Sequence, residues 1–233
     1  MLRQLQRLWV ALGLSGTGLP AAAQTYISPT PTAPEGPLTL TDDDQKSLRD
    51  RVHELVWGGF DELQEVHETA QDYLNPRTWT QSDRDLIAAE VDRQFSEKIA
   101  AETTWPKVTD WDRLDAAFNQ IESRKIVALH NAGNTQSDAI SDAGQIWHER
   151  GAETSGLRGY IFYHGQDVDR VVTNGQLHIG YGAFATDGNV GYALAIEVCA
   201  ILSAAGFAVT APPDGGTRIL ITGMDWKKRS PRP

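Results

Sequence analysis

Apolar residues recur at helical spacing through the first half of the chain: Leu48, Val52, Leu55 and Val56, then Leu63, Val66, Ala70 and Leu74, then Ala88, Val91, Phe95 and Ile99. Punctuation between these stripes predicts three helices. Thr41, followed by Asp42, Asp43 and Asp44, starts the first, because carboxylates near the first turn face the positive end of the helix dipole. Gly58-Gly59 stops it, and Asp61 is the expected cap of the second. Asn75-Pro76 ends the second, since a residue before proline disfavours the α region, and Ser82 with Asp85 three residues on opens the third.

After Trp105-Pro106 the period alternates between helical and extended. Thr109 or Asp110 caps a helix carrying Leu114, Phe118 and Ile121, and a short apolar strand follows at Ile126–Leu129. Asn131–Asp138 is a turn leading into a helix that runs to about Arg150, with Thr135 or Ser137 as its cap. Strands are expected at Tyr160–Tyr163, Leu177–Tyr181, Phe207–Thr210 and Arg218–Thr222, with helices between them at about Val168–Val172 and Val190–Ala205. Pro212-Pro213-Asp214-Gly215-Gly216 joins the last two strands as an antiparallel hairpin. The reading is an α+β fold, a helical N-terminal subdomain packed with a mixed sheet of about five strands that ends in the hairpin.

The expected organisation is a signal-like segment plus proline-rich linker over 1–37, a helical subdomain over 38–103, a mixed α/β domain over 104–229 continuous with it, and a tail at 230–233. Arg3, Arg7, the apolar run Leu8–Leu14 and Ala21-Ala22-Ala23 resemble a secretion signal, but Ser15, Gly16, Thr17 and Gly18 dilute the run. A cytoplasmic location is expected, or a secreted or periplasmic one if residues 1–23 act as a signal. No stretch approaches the ~20 apolar residues of a membrane helix.

Composition narrows the partners. The net charge of -10 argues against sequence-independent nucleic-acid binding, which needs a basic face. Acid concentrates between Leu38 and Ser123, as the solvated face of surface helices or as a surface for a basic protein partner. The single cysteine, Cys199, excludes an internal disulfide and sits in the apolar run Ala193–Ala205 as a small hydrophobe.

The densest candidate chemistry is RGYIFYHGQD, Arg158–Asp167, where an aromatic strand runs into Tyr163, His164, Gln166 and Asp167 at the start of a helix. Open α/β sheets bind ligands at such strand ends. By the two-residue period Tyr160, Phe162 and His164 share one face, and Ile161 and Tyr163 the other. Asp167 is explained as a helix N-cap, and His164 beside a helix N-terminus favours its neutral form. A hydrogen-bonded structural turn accounts for most of the cluster. A ligand site, with Arg113 or Arg218 recognising an anion, is the alternative.

Other motifs carry less. Gly180-Tyr-Gly182-Ala-Phe-Ala185 matches a dinucleotide pattern without opening a helix, so a bulge or a close chain approach explains the glycines better. His164, Asp167 and His178 have no known metal-ligand spacing, and Asp110, Asp112 and Asp115 lack the glycine and glutamate of a calcium loop. No GxSxG elbow exists. No cofactor is expected.

TWPKVTDWDRLDAAF at Thr104–Phe118, IVALHNAGNTQSDAISD at Ile126–Asp142, RGYIFYHGQD at Arg158–Asp167 and TRILITGMDWKKR at Thr217–Arg229 resemble an uncharacterised bacterial domain family of unknown function. The resemblance runs from about Leu48 to Arg229. It implies domain limits but no activity. Some members carry a cysteine cluster after the strand ending near Leu129; Asn134-Thr135-Gln136-Ser137 stands in that region here, so no redox or metal role carries over. The expectation is therefore a non-enzymatic protein-binding domain, with a small-ligand-binding or hydrolase-like site at the Tyr163/His164/Gln166/Asp167 turn as the alternative.

Overall fold

A computed structural model describes residues 40–72, 79–185 and 188–231. Four helices open on the same local device, Thr-x-x-Asp. Thr41, Thr80, Thr109 and Thr135 each accept a hydrogen bond from the backbone N–H three residues on, and Asp44, Asp83, Asp112 and Asp138 each return a carboxylate to the threonine N–H. Each such box satisfies two donors that the helix itself cannot, worth about 1 kcal/mol.

These boxes set helices α1 (Asp42–Gly58), α3 (Gln81–Glu102), α4 (Asp110–Ser123) and α5 (Gln136–Glu149), with α2 (Leu63–Asp72) between the first two. Two expected starts move. The α3 cap is Thr80 and not Ser82, because Thr80 has its partner Asp83 in place. Helix α2 starts after Glu62, whose N–H donates to Glu65, so Asp61 lies one residue too early. Leu74 and Asn75-Pro76 lie outside the described residues. The N-terminal helices enclose Val52, Val56, Val66, Ala70, Ile87, Val91 and Phe95. Ile99, expected on the inner stripe of α3, faces solvent, and Lys98 is buried instead.

The sheet has order β1-β2-β3-β5-β4, from β1 (Ile126–Leu129), β2 (Gly159–Phe162), β3 (Leu177–Ala183), β4 (Ala208–Thr210) and β5 (Ile219–Thr222). β1 and β2 are parallel, joined through α5, and every other pairing is antiparallel. The expected α+β class, mixed sheet and terminal hairpin are all present. Helix α6 (Gly165–Asn174) follows β2, and α7 (Gly188–Ala204) joins β3 to β4. Both begin before their expected starts.

One sheet face forms the main core. Ile161, Tyr163, Leu177, Ile179, Ile219 and Ile221 pack with Leu114, Phe118 and Ile121 of α4 and Leu194, Val198 and Leu202 of α7. On the opposite face, Phe162 packs with Ala132 in the turn after β1 and Ala139 in the first turn of α5. The helical N-terminal part joins through α1, where Gly58 lies against Val168 of α6 and its carbonyl accepts from the buried Trp226 indole at 3.2 Å. Arg51 reaches Asp169 of α6 at 2.8 Å.

The paired glycines of β3 are explained by this second face. Gly180 pairs with Phe162 and Gly182 with Tyr160, in unbroken register, and a Cβ at either position would strike the ring opposite. They are a close approach and neither a bulge nor a dinucleotide loop. Gly180→Ala is expected to destabilise by about 1–3 kcal/mol, because Phe162 must leave its rotamer or the strands must part. Urea unfolding of the variant checks this, and a change inside the error of the wild type would refute it.

Candidate functional site

Helix α6 opens on a fifth copy of the box with one residue changed: His164-Gly-Gln-Asp167 in place of Thr-x-x-Asp. His164 is the cap residue, and Asp167, at the third helical position, returns its Oδ2 to the His164 backbone N–H at 3.2 Å. This corrects the expectation that Asp167 is itself the N-cap and that the helix begins near Val168. The imidazole stands where a threonine hydroxyl would be, yet its Nδ1 is buried without a hydrogen-bond partner.

Strand register supplies the other groups. Phe162 pairs with Gly180 and His178 with Leu220, so His164, His178 and Arg218 fall on the face that Phe162 occupies. The α6 first turn then folds Asp167 over that face. Asp167 is fully buried and holds two arginines, Arg170 at 2.9 Å through Oδ1 and Arg218 at 2.7 Å through Oδ2. Arg218 also donates through its second Nη to His164 Nε2 at 3.3 Å.

A guanidinium only donates, so Nε2 accepts from Arg218 when it carries no proton. Nε2 and Asp167 Oδ2, 3.2 Å apart, together receive the Arg218 fork as the two oxygens of one carboxylate would. Burial holds the His164 pKa below the usual imidazole range; the charges of Arg218 and Arg170 push the same way, and Asp167 opposes them. His178 is lowered for the same leading reason, and its Nδ1 is likewise buried without a partner. On the adjoining flank of α5, burial raises Asp142, while the hydrogen bonds from Thr135 lower Asp138.

Of the residues expected at a site, the structure brings together His164, Asp167 and Arg218. Gln166 is exposed at the mouth of the turn. Tyr163 points to the opposite face, where it is fully buried and bonded through its hydroxyl to His130 Nδ1 at 2.8 Å. Arg113 lies elsewhere, donating to the Ala205 carbonyl and to Asp110 and stacked on Phe207. Arg170 was missed as a member of the centre, and His178 was weighed beside His164 and Asp167 only as a metal ligand. Arg170 was legible as the residue three after Asp167 on one helix, whereas placing His178 needs the β2–β3–β5 register.

A second cluster lies between the helical part and the sheet. His130 stacks on Phe118 and faces Asp115 at 3.3 Å, and the Lys228 ammonium sits over the rings of Phe60 and Trp111. Burial lowers the Lys228 pKa and raises that of Tyr163 well above the phenol range. Among the described residues no group of three or more His, Cys, Asp or Glu side chains is placed to hold a metal ion, and no helix is long and apolar enough to cross a membrane.

The architecture is thus an α+β domain with a buried His–Asp–Arg centre at a strand-to-helix turn. A family model described as a domain of unknown function, DUF6891, matches residues 41–230, and the chain belongs to that family. No curated protein and no solved structure matches it.

Proposed function

We propose that this is a non-enzymatic interaction domain that binds a protein partner through the outer face of α7. The observation that carries this reading is the composition of that helix. Its inner face buries Leu194, Ala195, Val198, Cys199, Ile201 and Leu202. Its outer face, which should be polar, presents Val190, Ala193, Ile196, Ala200 and Ala204 at three- and four-residue spacing, with Val190 38%, Tyr192 36% and Ile196 43% exposed. The sole charge along the helix is Glu197, held at its flank by Arg158 at 2.7 Å and Arg124 at 3.3 Å. A helix apolar on all sides is normally covered on all sides.

Three groups suited to chemistry, Asp167, Tyr163 and Cys199, support the same reading, because each is engaged elsewhere. Both oxygens of Asp167 are held by arginines, Tyr163 is enclosed in the core, and the Cys199 thiol is buried with its pKa pushed up by that burial. Immobilised wild-type protein is expected to retain a partner from lysate of its source cells, and Ile196→Lys is expected to lose it. The substitution lies on an exposed position, so stability should change by no more than about 0.5 kcal/mol. Equal retention by wild type and variant, or no reproducible retention, sinks the reading.

A further inference from the structure

We propose that the occupant of the α7 outer face is a second copy of this chain, packed across a two-fold axis with the two α7 helices antiparallel. This rests on the reading of that face as an interaction surface and names what covers it.

The distribution of bulk along the face carries the inference. Val198 is fully buried in the core, so the outward-facing residues lie symmetrically about it: Tyr192, Ala193 and Ile196 before it, Ala200, Ser203 and Ala204 after it. Their sizes are not symmetric. The exposed large side chains, Val190, Tyr192 and Ile196, all stand in the N-terminal half, whereas every exposed residue from Ala200 to Ala204 is alanine or serine. A two-fold axis at Val198 sets each position against the one equally far on the other side. Ile196 then meets Ala200, Tyr192 meets Ala204 and Ala193 meets Ser203 of the second copy. Each large side chain enters the space above a small one, and the helix axes can close to the ~8–10 Å of packed helices. A parallel pair would instead set Ile196 on Ile196 and Tyr192 on Tyr192, and leave the alanine half unfilled.

Charge selects the same occupant. The chain carries a net charge of -10, so two copies repel over most of their surface. Along α7 the sole charge is Glu197, and Arg158 and Arg124 neutralise it. Two copies can therefore meet here without bringing unpaired carboxylates together, and the antiparallel arrangement also opposes the two helix dipoles. A basic partner would find no complement on this face. Area sets the strength. The 17 residues of α7 span ~25 Å, and a strip of that length ~10 Å wide is well short of the ~800 Å² per partner of a stable complex. The dimer is thus concentration-dependent, with a Kd on the order of tens of micromolar.

Sedimentation equilibrium of the full chain, from about 1 to about 500 µM, tests this. The average mass is expected to rise from that of one chain toward that of two, and Ile196→Lys should weaken association about tenfold or more. Register is read by cross-linking. Ala193→Cys and Ser203→Cys proteins, mixed under mild oxidation, should join to each other and neither to itself. The two-fold pair sets these positions together and holds like positions ten residues apart, ~15 Å, beyond the ~7 Å that a disulfide can bridge. A chain that stays monomeric over the whole range overturns the self-pairing; retention of a different protein from lysate by that monomer would leave the interaction reading standing. Association unchanged in Ile196→Lys, or Ala193→Cys joining to itself, overturns the antiparallel pair as well.

Discussion

Asp167→Ala is expected to cost about 3–5 kcal/mol, the largest loss of any single substitution at the candidate site, because it removes the acceptor that neutralises two arginines. Asp167 has no exposed surface, and its carboxylate meets Arg170, Arg218 and the His164 N–H together. With a typical domain stable by about 5–15 kcal/mol, such a loss should be plain in urea unfolding as a lower midpoint with an unchanged slope. The cost arises from stranded positive charge more than from a lost bond, and this can be separated. Arg170→Ala alone should cost less than about 1 kcal/mol, since that ion pair is half-exposed. Adding Arg218→Met to Asp167→Ala should recover part of the loss, because the guanidinium left without its acceptor goes with it. A single-mutant loss below about 1 kcal/mol, or a double mutant less stable than Asp167→Ala, would show that the centre does not tie α6 to β5.

The same centre shows where local sequence reasoning succeeds and where it stops. Thr41, Thr109 and Thr135 are readable as helix caps because the device lies within four residues and needs nothing distant. The strands are readable from alternation, and so is the face of His164. Alternation also separates Tyr163 from His164, and the structure puts Tyr163 in the core against His130, as that period requires and as grouping it with the turn did not. Asp167 was misplaced by one function within the same box: it is the residue that reaches back, and a histidine occupies the position where a threonine would have announced the cap. Arg218 and Arg113 are alike in sequence. Only the antiparallel register of β5 on β3 carries Arg218 to Asp167, 51 residues away, while α4 carries Arg113 to the end of α7. Pairing over such separations has no local signal.

Lys98 escaped the sequence reading for a different reason: an inner helical stripe is read by skipping charged residues, and Ile99 beside it offered a plausible hydrophobe. The structure buries Lys98 completely, with Nζ donating to the Val56 carbonyl at the end of α1 at 3.0 Å and Glu102 3.9 Å away. Burial pulls its pKa down from 10.5 to about 7, with Lys228 pushing the same way and Glu102 opposing. The consequence for stability has a definite sign. Below pH 7 folded and unfolded chains are both protonated at this site, and the full cost of burying the ammonium is present. Between pH 7 and 10.5 the unfolded chain binds the proton that the folded chain has released, so stability rises with pH through this window and levels off above it. Lys98→Met has no proton to lose. It should therefore be more stable than wild type at pH 6, by an amount on the order of a few kcal/mol. That advantage should shrink steadily as pH rises, and near pH 10 it should vanish or reverse, because the neutral amine still donates to Val56 and methionine leaves that carbonyl unmatched at a cost of about 1–3 kcal/mol. Taking the difference between the two proteins cancels groups that titrate in the same range without acting on Lys98; Lys228, which does act on it, leaves a smaller residual slope. Urea midpoints of both proteins measured from pH 6 to 10 decide the matter: a difference that does not change with pH would mean that Lys98 keeps its proton in the fold, held as an ammonium by Val56 and Glu102.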